Sequence, residues 1–170
     1  IRYHAMAAVE GEKQLAAASL QKYSSVITLG EDSEKLKHNL FDLLTNRSIN
    51  LLKQLNLYAR DFEALVFPDQ PALFAPADQF NTLAFDTRDQ YVSILIMRLY
   101  QQLLRSQMNR KPGAAMLISD LERLEYAYEN TELPNKDSLY MSALDRLEEA
   151  NKNTPFNVEI MAKKADLLSH

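Results

Sequence analysis

The sequence predicts an all-α fold, an antiparallel helical bundle of about six helices with one long second helix. Apolar residues recur at helical spacing along almost the whole chain. Only three Gly and six Pro occur in 170 residues, too few for the many tight turns of a strand-rich fold. The length, with 46% apolar residues, suits one sizeable core. We therefore expect residues 1–170 to form a single helical domain.

The first two helices are predicted from long apolar stripes. One amphipathic helix is expected from about Ala5 to Ile27, although Gly11 inside it costs about 1 kcal/mol relative to Ala. Gly30 then marks a helix end. The second helix is expected from Ser33 to about Val66, because its stripe continues without Gly or Pro.

A proline-rich segment and a strongly apolar helix come next. Phe67–Pro76 contains three prolines, so we expect an ordered, irregular connection pinned by its aromatic residues. A third helix is expected to start near Asp78 or Asp86 and to run to about Arg110. Because its apolar residues cover more than one stripe, this helix is the predicted central element.

Three shorter helices complete the prediction. They span Ala114 to about Glu129, Asp137 to Asn151, and the residues after Thr154. Thr154 is the expected N-cap of the last helix and Pro155 its first residue. The pattern of this helix continues to His170 without a C-cap.

Both ends of the chain fall within helical pattern, and the chain begins with Ile1 rather than Met. We expect that the domain was excised from a longer, membrane-anchored protein. Antiparallel helices with short connections return both ends to one side, so the first and last helices are expected to lie side by side.

Composition and motifs argue against several classes of function. A net charge of −4 without a clustered basic face argues against nucleic-acid binding. No cysteine is present, and no phosphate-binding, nucleophile-elbow or zinc-protease motif occurs. The three histidines are dispersed, and only Glu34 and His38 lie one turn apart. We therefore expect no enzyme activity, no metal and no cofactor.

Arginines within apolar stripes are the candidate ligand-binding residues. Arg47, beside Ser48, interrupts the stripe of the second helix, so a guanidinium or a hydroxyl must lie at its buried face. Arg98 lies in the densest apolar run and shares a face with Arg105, with Tyr100 nearby. A buried guanidinium is costly unless a carboxylate or a bound anion pairs with it.

Two interpretations of these arginines remain open. Internal carboxylates are available as partners, namely Asp42, Asp61, Asp89 and Asp120. Alternatively, Arg47 and Arg98, the two expected to be most deeply embedded, bind a small anionic ligand over which Phe67–Pro76 closes.

The order of elements resembles the periplasmic all-helical sensor domains of bacterial membrane signal transducers, in particular the double all-helical ligand-binding type of histidine kinases and diguanylate cyclases. The resemblance rests on the very long second helix, the proline-rich crossover and the run of shorter helices. It implies the periplasmic part of an inner-membrane protein, itself non-catalytic. Such a domain binds a small molecule or a periplasmic binding protein, signals by helix displacement and forms a homodimer through the parent receptor.

A second resemblance leads to a different function, that of a helical-repeat interaction scaffold. Four residues match the second-helix spacing of a tetratricopeptide repeat, namely Ala143, Leu147, Ala150 and Pro155. Three more fit the start of a next repeat, namely Met161, Ala165 and Leu168. Pro134 departs from the repeat, and no upstream copy at its usual period of about 34 residues is visible. The sensor domain predicts hydrophobic segments of about 20 residues on both sides of the chain, whereas the scaffold predicts neither.

Overall fold

The computed structural model describes residues 1–28, 37–59, 67–85, 91–110 and 113–169. Within these ranges every regular element is helical, which confirms the predicted all-α class. The α-helices are α1 (Arg2–Ala7), α2 (Glu12–Ala17), α3 (Leu40–Ala59), α4 (Ala77–Phe80), α5 (Val92–Met108), α6 (Ala114–Asn130), α7 (Lys136–Asn151) and α8 (Asn157–Leu168). Two 3-10 helices, Leu20–Tyr23 and Pro71–Phe74, add single turns.

The pair formed by α3 and α5 is the centre of the molecule. This pair makes the most extensive contact between elements, and α5 also packs on α4 and α6. Apolar residues on several sides of α5 are fully buried, among them Ile96, Met97 and Leu103. The predicted central position of this helix is confirmed.

The prediction of one continuous helix from Ala5 to Ile27 is wrong. The chain forms α1, then α2, then a 3-10 turn, because Gly11 adopts the left-handed conformation with a φ of 78°. A residue with a side chain disfavours this conformation, so Gly11 fixes the break between α1 and α2. Both short helices pack on α3.

The second predicted helix begins later than expected. Its predicted start at Ser33 lies outside the described residues, but residues 37–39 are not helical. Asn39 caps α3, since its Oδ1 accepts the Asp42 amide at 2.9 Å. In return, Asp42 Oδ2 accepts the backbone amide of His38 at 3.1 Å, which resembles a capping box.

The second predicted helix is continuous through Arg47, as expected. With 20 residues, α3 is the longest helix among the described residues. The hydroxyl, rather than the guanidinium, occupies the buried face. Ser48 is buried and donates to the carbonyl of Ala5 at 2.8 Å, which joins α3 to α1.

The proline-rich crossover is ordered, as predicted, and its central carbonyls are bound by arginines. Leu73 and Phe74 are buried. The fully buried Arg123 of α6 donates to the carbonyls of Leu73 and, at 3.1 Å, of Ala75. Arg146 of α7 donates to the intervening Phe74 carbonyl at 3.0 Å. Two helices thereby supply the donors that the irregular backbone requires.

Asp120 balances the charge of Arg123. Asp120 Oδ1 accepts from Arg123 Nε at 2.9 Å and from Nη2 at 2.5 Å. The guanidinium carbon lies 4.4 Å from the centroid of the Phe80 ring. Burial lowers the pKa of Arg123, and the neighbouring carboxylate opposes this effect. The pair therefore lies in the core with its opposite charges paired.

Two other predicted boundaries differ from the structure. The third helix does not begin at Asp78, which belongs to the separate helix α4. Gln101 Nε2 of α5 donates to the carbonyls of Phe80 and Leu83, both at 2.9 Å, and so binds the backbone where α4 ends. Thr154 does not cap α8 either. Its hydroxyl donates to the carbonyl of Asn151 at 2.9 Å and closes the end of α7.

The first and last helices do not pair through their principal contacts. Among the described residues, α1 packs chiefly on α3, whereas α8 packs chiefly on α7. The expectation that they lie side by side is therefore not supported.

We predict that Arg123→Met lowers the free energy of unfolding by about 3–5 kcal/mol, because it leaves Asp120 and the carbonyls of Leu73 and Ala75 buried without their donor. Urea unfolding followed by circular dichroism measures the change. Arg47→Met is the matched control, since Arg47 is exposed and its loss should change stability by less than about 0.5 kcal/mol. Equal losses for the two variants would contradict the assigned role of Arg123.

We also predict that Asp69 stabilises the fold only above the pH at which its carboxyl group protonates. Its Oδ1 accepts from the Thr131 hydroxyl at 2.7 Å and from the Glu132 amide at 2.9 Å, and these bonds lower the pKa of Asp69. A lowered pKa adds stability above the unfolded-state value, about 3.9, and this stability is lost as the pH falls through the folded-state value.

The test compares the native chain with Asp69→Asn by urea unfolding across the acid range. Because Asp69 is exposed and solvent screens its interactions, we expect a loss of less than about 1 kcal/mol at pH 7 that shrinks below about pH 4. Glu10→Gln, at an exposed position, is the control. A difference that does not change with pH would disprove the prediction.

Candidate functional site

The structure does not gather the four sequence-predicted ligand residues at one of its described cavities. Arg47 and Arg105 are exposed, and Arg98 is half-buried. Arg105 donates to the carbonyl of Asn81 at 3.2 Å. The expectation that Arg47 and Arg98 are the most deeply embedded arginines is wrong, because Arg123 is fully buried.

Tyr100, the fourth candidate, lies in the core. Its side chain is fully buried, and its hydroxyl has no hydrogen-bond partner in the described ranges of the chain. Burial raises the pKa of Tyr100, so the hydroxyl stays protonated at neutral pH. Lys53 Nζ lies 5.6 Å from the centroid of this ring and 5.4 Å from that of Tyr126. Tyr100 is therefore a core residue beside a cation, away from the described cavities.

Two of the internal carboxylates offered as partners do pair with arginines. The arginines are not Arg47 and Arg98, for which these partners were considered. Asp120 pairs with Arg123, and Asp42 accepts from Arg110 Nη2 at 2.7 Å. Asp61 and Asp89 lie outside the described residues. The sequence carries one signal for the first pair, since Asp120 and Arg123 lie one helical turn apart.

The largest described cavity has a volume of about 590 Å³ and lies between the start of α6 and the turn from α7 to α8. Its walls are mainly apolar. The lining residues are Gly113, Ala114, Met116, Leu117, Asp120, Leu147, Ala150, Asn151, Asn153, Thr154, Pro155 and Phe156. A cavity of this size and character suits a small organic ligand.

Within the part of the chain that the structure describes, Asp120 is the one charged residue that lines this cavity. Its side chain is only 4% exposed. Both hydrogen bonds from Arg123 go to Oδ1, and Oδ2 accepts none from the part of the chain that the structure describes. The cavity therefore contains a carboxylate oxygen with unused acceptor capacity.

A smaller cavity of about 160 Å³, which contains several polar side chains, lies on the other side of Gly113 and Met116. It is also lined by His38, Gln107 and Arg110. Gln107 Oε1 and Arg110 Nη1 are buried and have no hydrogen-bond partner among the described residues. The space suits water or a ligand of a few atoms that offers both a donor and an acceptor.

A third cavity of about 240 Å³ lies between α6, α7 and α8. Glu125 of α6 and Lys163 of α8 form an ion pair there. Tyr128 and Tyr140 stack with ring centroids 4.7 Å apart. Burial raises the pKa of Tyr140, so its hydroxyl is a neutral group at physiological pH. The ion pair joins α8 to α6, and the stacked rings join α6 to α7.

The last helix, α8, is apolar on two opposite sides. Its inner side contains the fully buried Ile160 and the half-buried Leu167. Its outer side exposes Val158 (68%), Met161 (54%) and Leu168 (76%). Ala162 and Ala165 are also exposed. At about 100° per residue, the five exposed residues form one stripe opposite the buried one.

The described residues contain neither a cluster of metal-ligating side chains nor a helix that could span a membrane. No group of three His, Asp or Glu side chains in these ranges could hold a metal ion. Glu34, the predicted neighbour of His38, and His170 lie outside them. No helix within the same ranges is long and apolar enough to cross a membrane.

Comparison of the chain with known protein families, with curated proteins and with solved structures finds no match.

Proposed function

We propose that this chain is a non-catalytic interaction domain in which α6, α7 and α8 form an antiparallel helical stack that binds an amphipathic helix on the outer face of α8. The observation that carries the proposal is the exposed stripe of Val158, Met161 and Leu168 opposite the buried face of the same helix. A helix that is apolar on two sides is typical of a position between two neighbours.

The packing order supports this proposal. Each of α6, α7 and α8 packs on the next helix in the chain. Their connections, residues 131–135 and 152–156, have five residues each, a length that favours antiparallel neighbours. Ala143, a repeat-like position, is fully buried in α7. In helical repeats each unit buries its apolar face against the next, so the outer face of α8 is where a further helix would pack.

The charges beside the stripe indicate the chemistry of the partner. Lys163 and Lys164 point towards the stack and form ion pairs with Glu125 and with Asp145 and Glu148. Glu159 and Asp166, by contrast, are exposed along one edge of the stripe. A partner helix with basic residues beside its own apolar stripe is therefore complementary to α8.

We predict that Met161→Asp weakens the binding of such a helix at least tenfold, because it places a charge at the centre of the apolar contact. The probe is a fluorescent peptide with a leucine stripe flanked by lysines, and anisotropy titration against the full chain measures its dissociation constant. Val26→Asp, a change at an unrelated and 79% exposed apolar position, is the matched control.

Three outcomes separate the possibilities. Loss of binding in Met161→Asp alone supports the proposal. Equal binding by both variants contradicts it. Sedimentation of the chain without peptide distinguishes a second copy as occupant, since Met161→Asp would then abolish a dimer and leave Val26→Asp dimeric.

The sensor domain is a second candidate function, and the 590 Å³ cavity favours it. In this proposal the chain is the extracytoplasmic, ligand-binding part of a bacterial signal-transduction receptor. A mainly apolar cavity with few polar groups is typical of small-molecule sites. Its position beside the turn from α7 to α8 allows an occupant to contact residues preceding the last helix, which would transmit the displacement.

We predict that ligands found in a thermal-shift screen lose their effect in Ala150→Trp. Ala150 is exposed on α7 and lines the cavity, so an indole at this position fills the space without entering the core. A ligand at 100 times its dissociation constant stabilises the native chain by about 2.7 kcal/mol. Ser142→Trp, at another exposed position of α7 that does not line the cavity, should keep the response. Loss of response in both variants, or in neither, would contradict this site.

A further inference from the structure

The free oxygen of Asp120 defines what the 590 Å³ cavity can bind. The carboxylate is nine-tenths buried, so bulk water satisfies little of its acceptor capacity. Oδ1 is occupied by Arg123, whereas Oδ2 has no donor among the described residues. An occupant that donates a hydrogen bond to Oδ2 would use an acceptor that no described residue occupies.

The charges of the surroundings favour a cationic donor. Among the described residues of the lining there is no Lys, Arg or His, and Asp120 is the ionisable one. Asn151, the last residue of α7, also lines the cavity, and the C-terminal end of a helix carries partial negative charge. The positive charge of Arg123 is engaged by Asp120 Oδ1 and by two backbone carbonyls.

The remaining walls of the cavity favour a ligand with an apolar body. Met116 and Leu117 of α6 lie on one side, and Leu147 of α7 and Phe156 before α8 lie on the other. These side chains gain from contact with hydrocarbon and offer no partner for a second charged group. A ligand with one polar end and one apolar end therefore matches the cavity.

We propose that this cavity binds an organic ammonium compound with an apolar or aromatic body, whose N–H group donates to Asp120 Oδ2. The inference rests on the ligand-binding candidate function and names its ligand class. It differs from the anionic ligand expected at Arg47 and Arg98, because the residue exposed to the cavity is a carboxylate.

The experiment compares three ligands of the same shape that differ in charge. Isothermal titration at pH 7 measures binding of 2-phenylethylamine, which is protonated, 2-phenylethanol, which is neutral, and 3-phenylpropanoate, which is anionic. We expect the amine to bind at least tenfold more tightly than the alcohol and the acid. Ala150→Trp should abolish this binding, and Ser142→Trp should retain it.

A second variant tests the role of the carboxylate. Asp120→Asn keeps the shape of the side chain and removes its charge, so the amine should lose its advantage over the alcohol while circular dichroism confirms the helical content. If this variant does not fold, the comparison of Ala150→Trp with Ser142→Trp still decides whether the amine occupies the cavity.

The outcomes separate this inference from the function on which it rests. Equal or tighter binding of the alcohol or the acid, lost in Ala150→Trp, overturns the ammonium inference and leaves the cavity a ligand site. Amine binding that survives in Ala150→Trp, or absence of binding by all three ligands, also overturns the inference. In those cases the broader thermal-shift screen shows independently whether the cavity binds a ligand of another class.

Discussion

The buried guanidinium of Arg123 is the interaction on which the middle of the molecule depends. The Pro71–Phe74 turn contacts α4, α6 and α7, and its backbone carbonyls would be costly to bury without donors. Arg123 supplies donors to Leu73 and Ala75 and takes its countercharge from Asp120. Because a guanidinium offers five donors in a rigid plane, one side chain can join an irregular segment and a helix at once.

The same pair constrains the cavity beside it. Both bonds from Arg123 go to Asp120 Oδ1. Asp120 therefore has a structural role through Oδ1, while our proposal assigns a binding role to Oδ2. A substitution of Asp120 would affect both the fold and the proposed binding. Substitutions at Ala150 therefore test the cavity more directly.

The two proposed binding regions meet at the turn between α7 and α8. Phe156 lines the cavity and immediately precedes α8, whose outer face is the proposed docking surface. On the inner side, Ile160 and the ion pair of Lys163 with Glu125 hold α8 to the stack. The outer stripe of Val158, Met161 and Leu168 has no comparable covering among the described residues.

Local pattern in the sequence determined the helical class, the central helix α5 and the approximate bounds of α6 and α7, because amphipathic spacing is a property of neighbouring residues. The positions at which helices begin and end depend on single residues rather than on a repeating pattern. The sequence identified Gly11 as unfavourable in a helix, but composition does not determine that its backbone is left-handed and that it is the N-cap residue of α2. Similarly, the capping hydrogen bonds of Asn39 and Asp42 place the start of α3 at Leu40, later than the apolar pattern predicted.

Only the tertiary structure decided which arginine is buried, and with it the location of the candidate site. Arg47 interrupts an apolar stripe yet is exposed, because Ser48 takes the inward position and bonds to α1. Arg123 can be buried because carbonyls about 50 residues away in the chain meet it. Helical spacing alone therefore determines which residues share a face, whereas the satisfaction of a buried charge depends on distant backbone groups that only folding brings together.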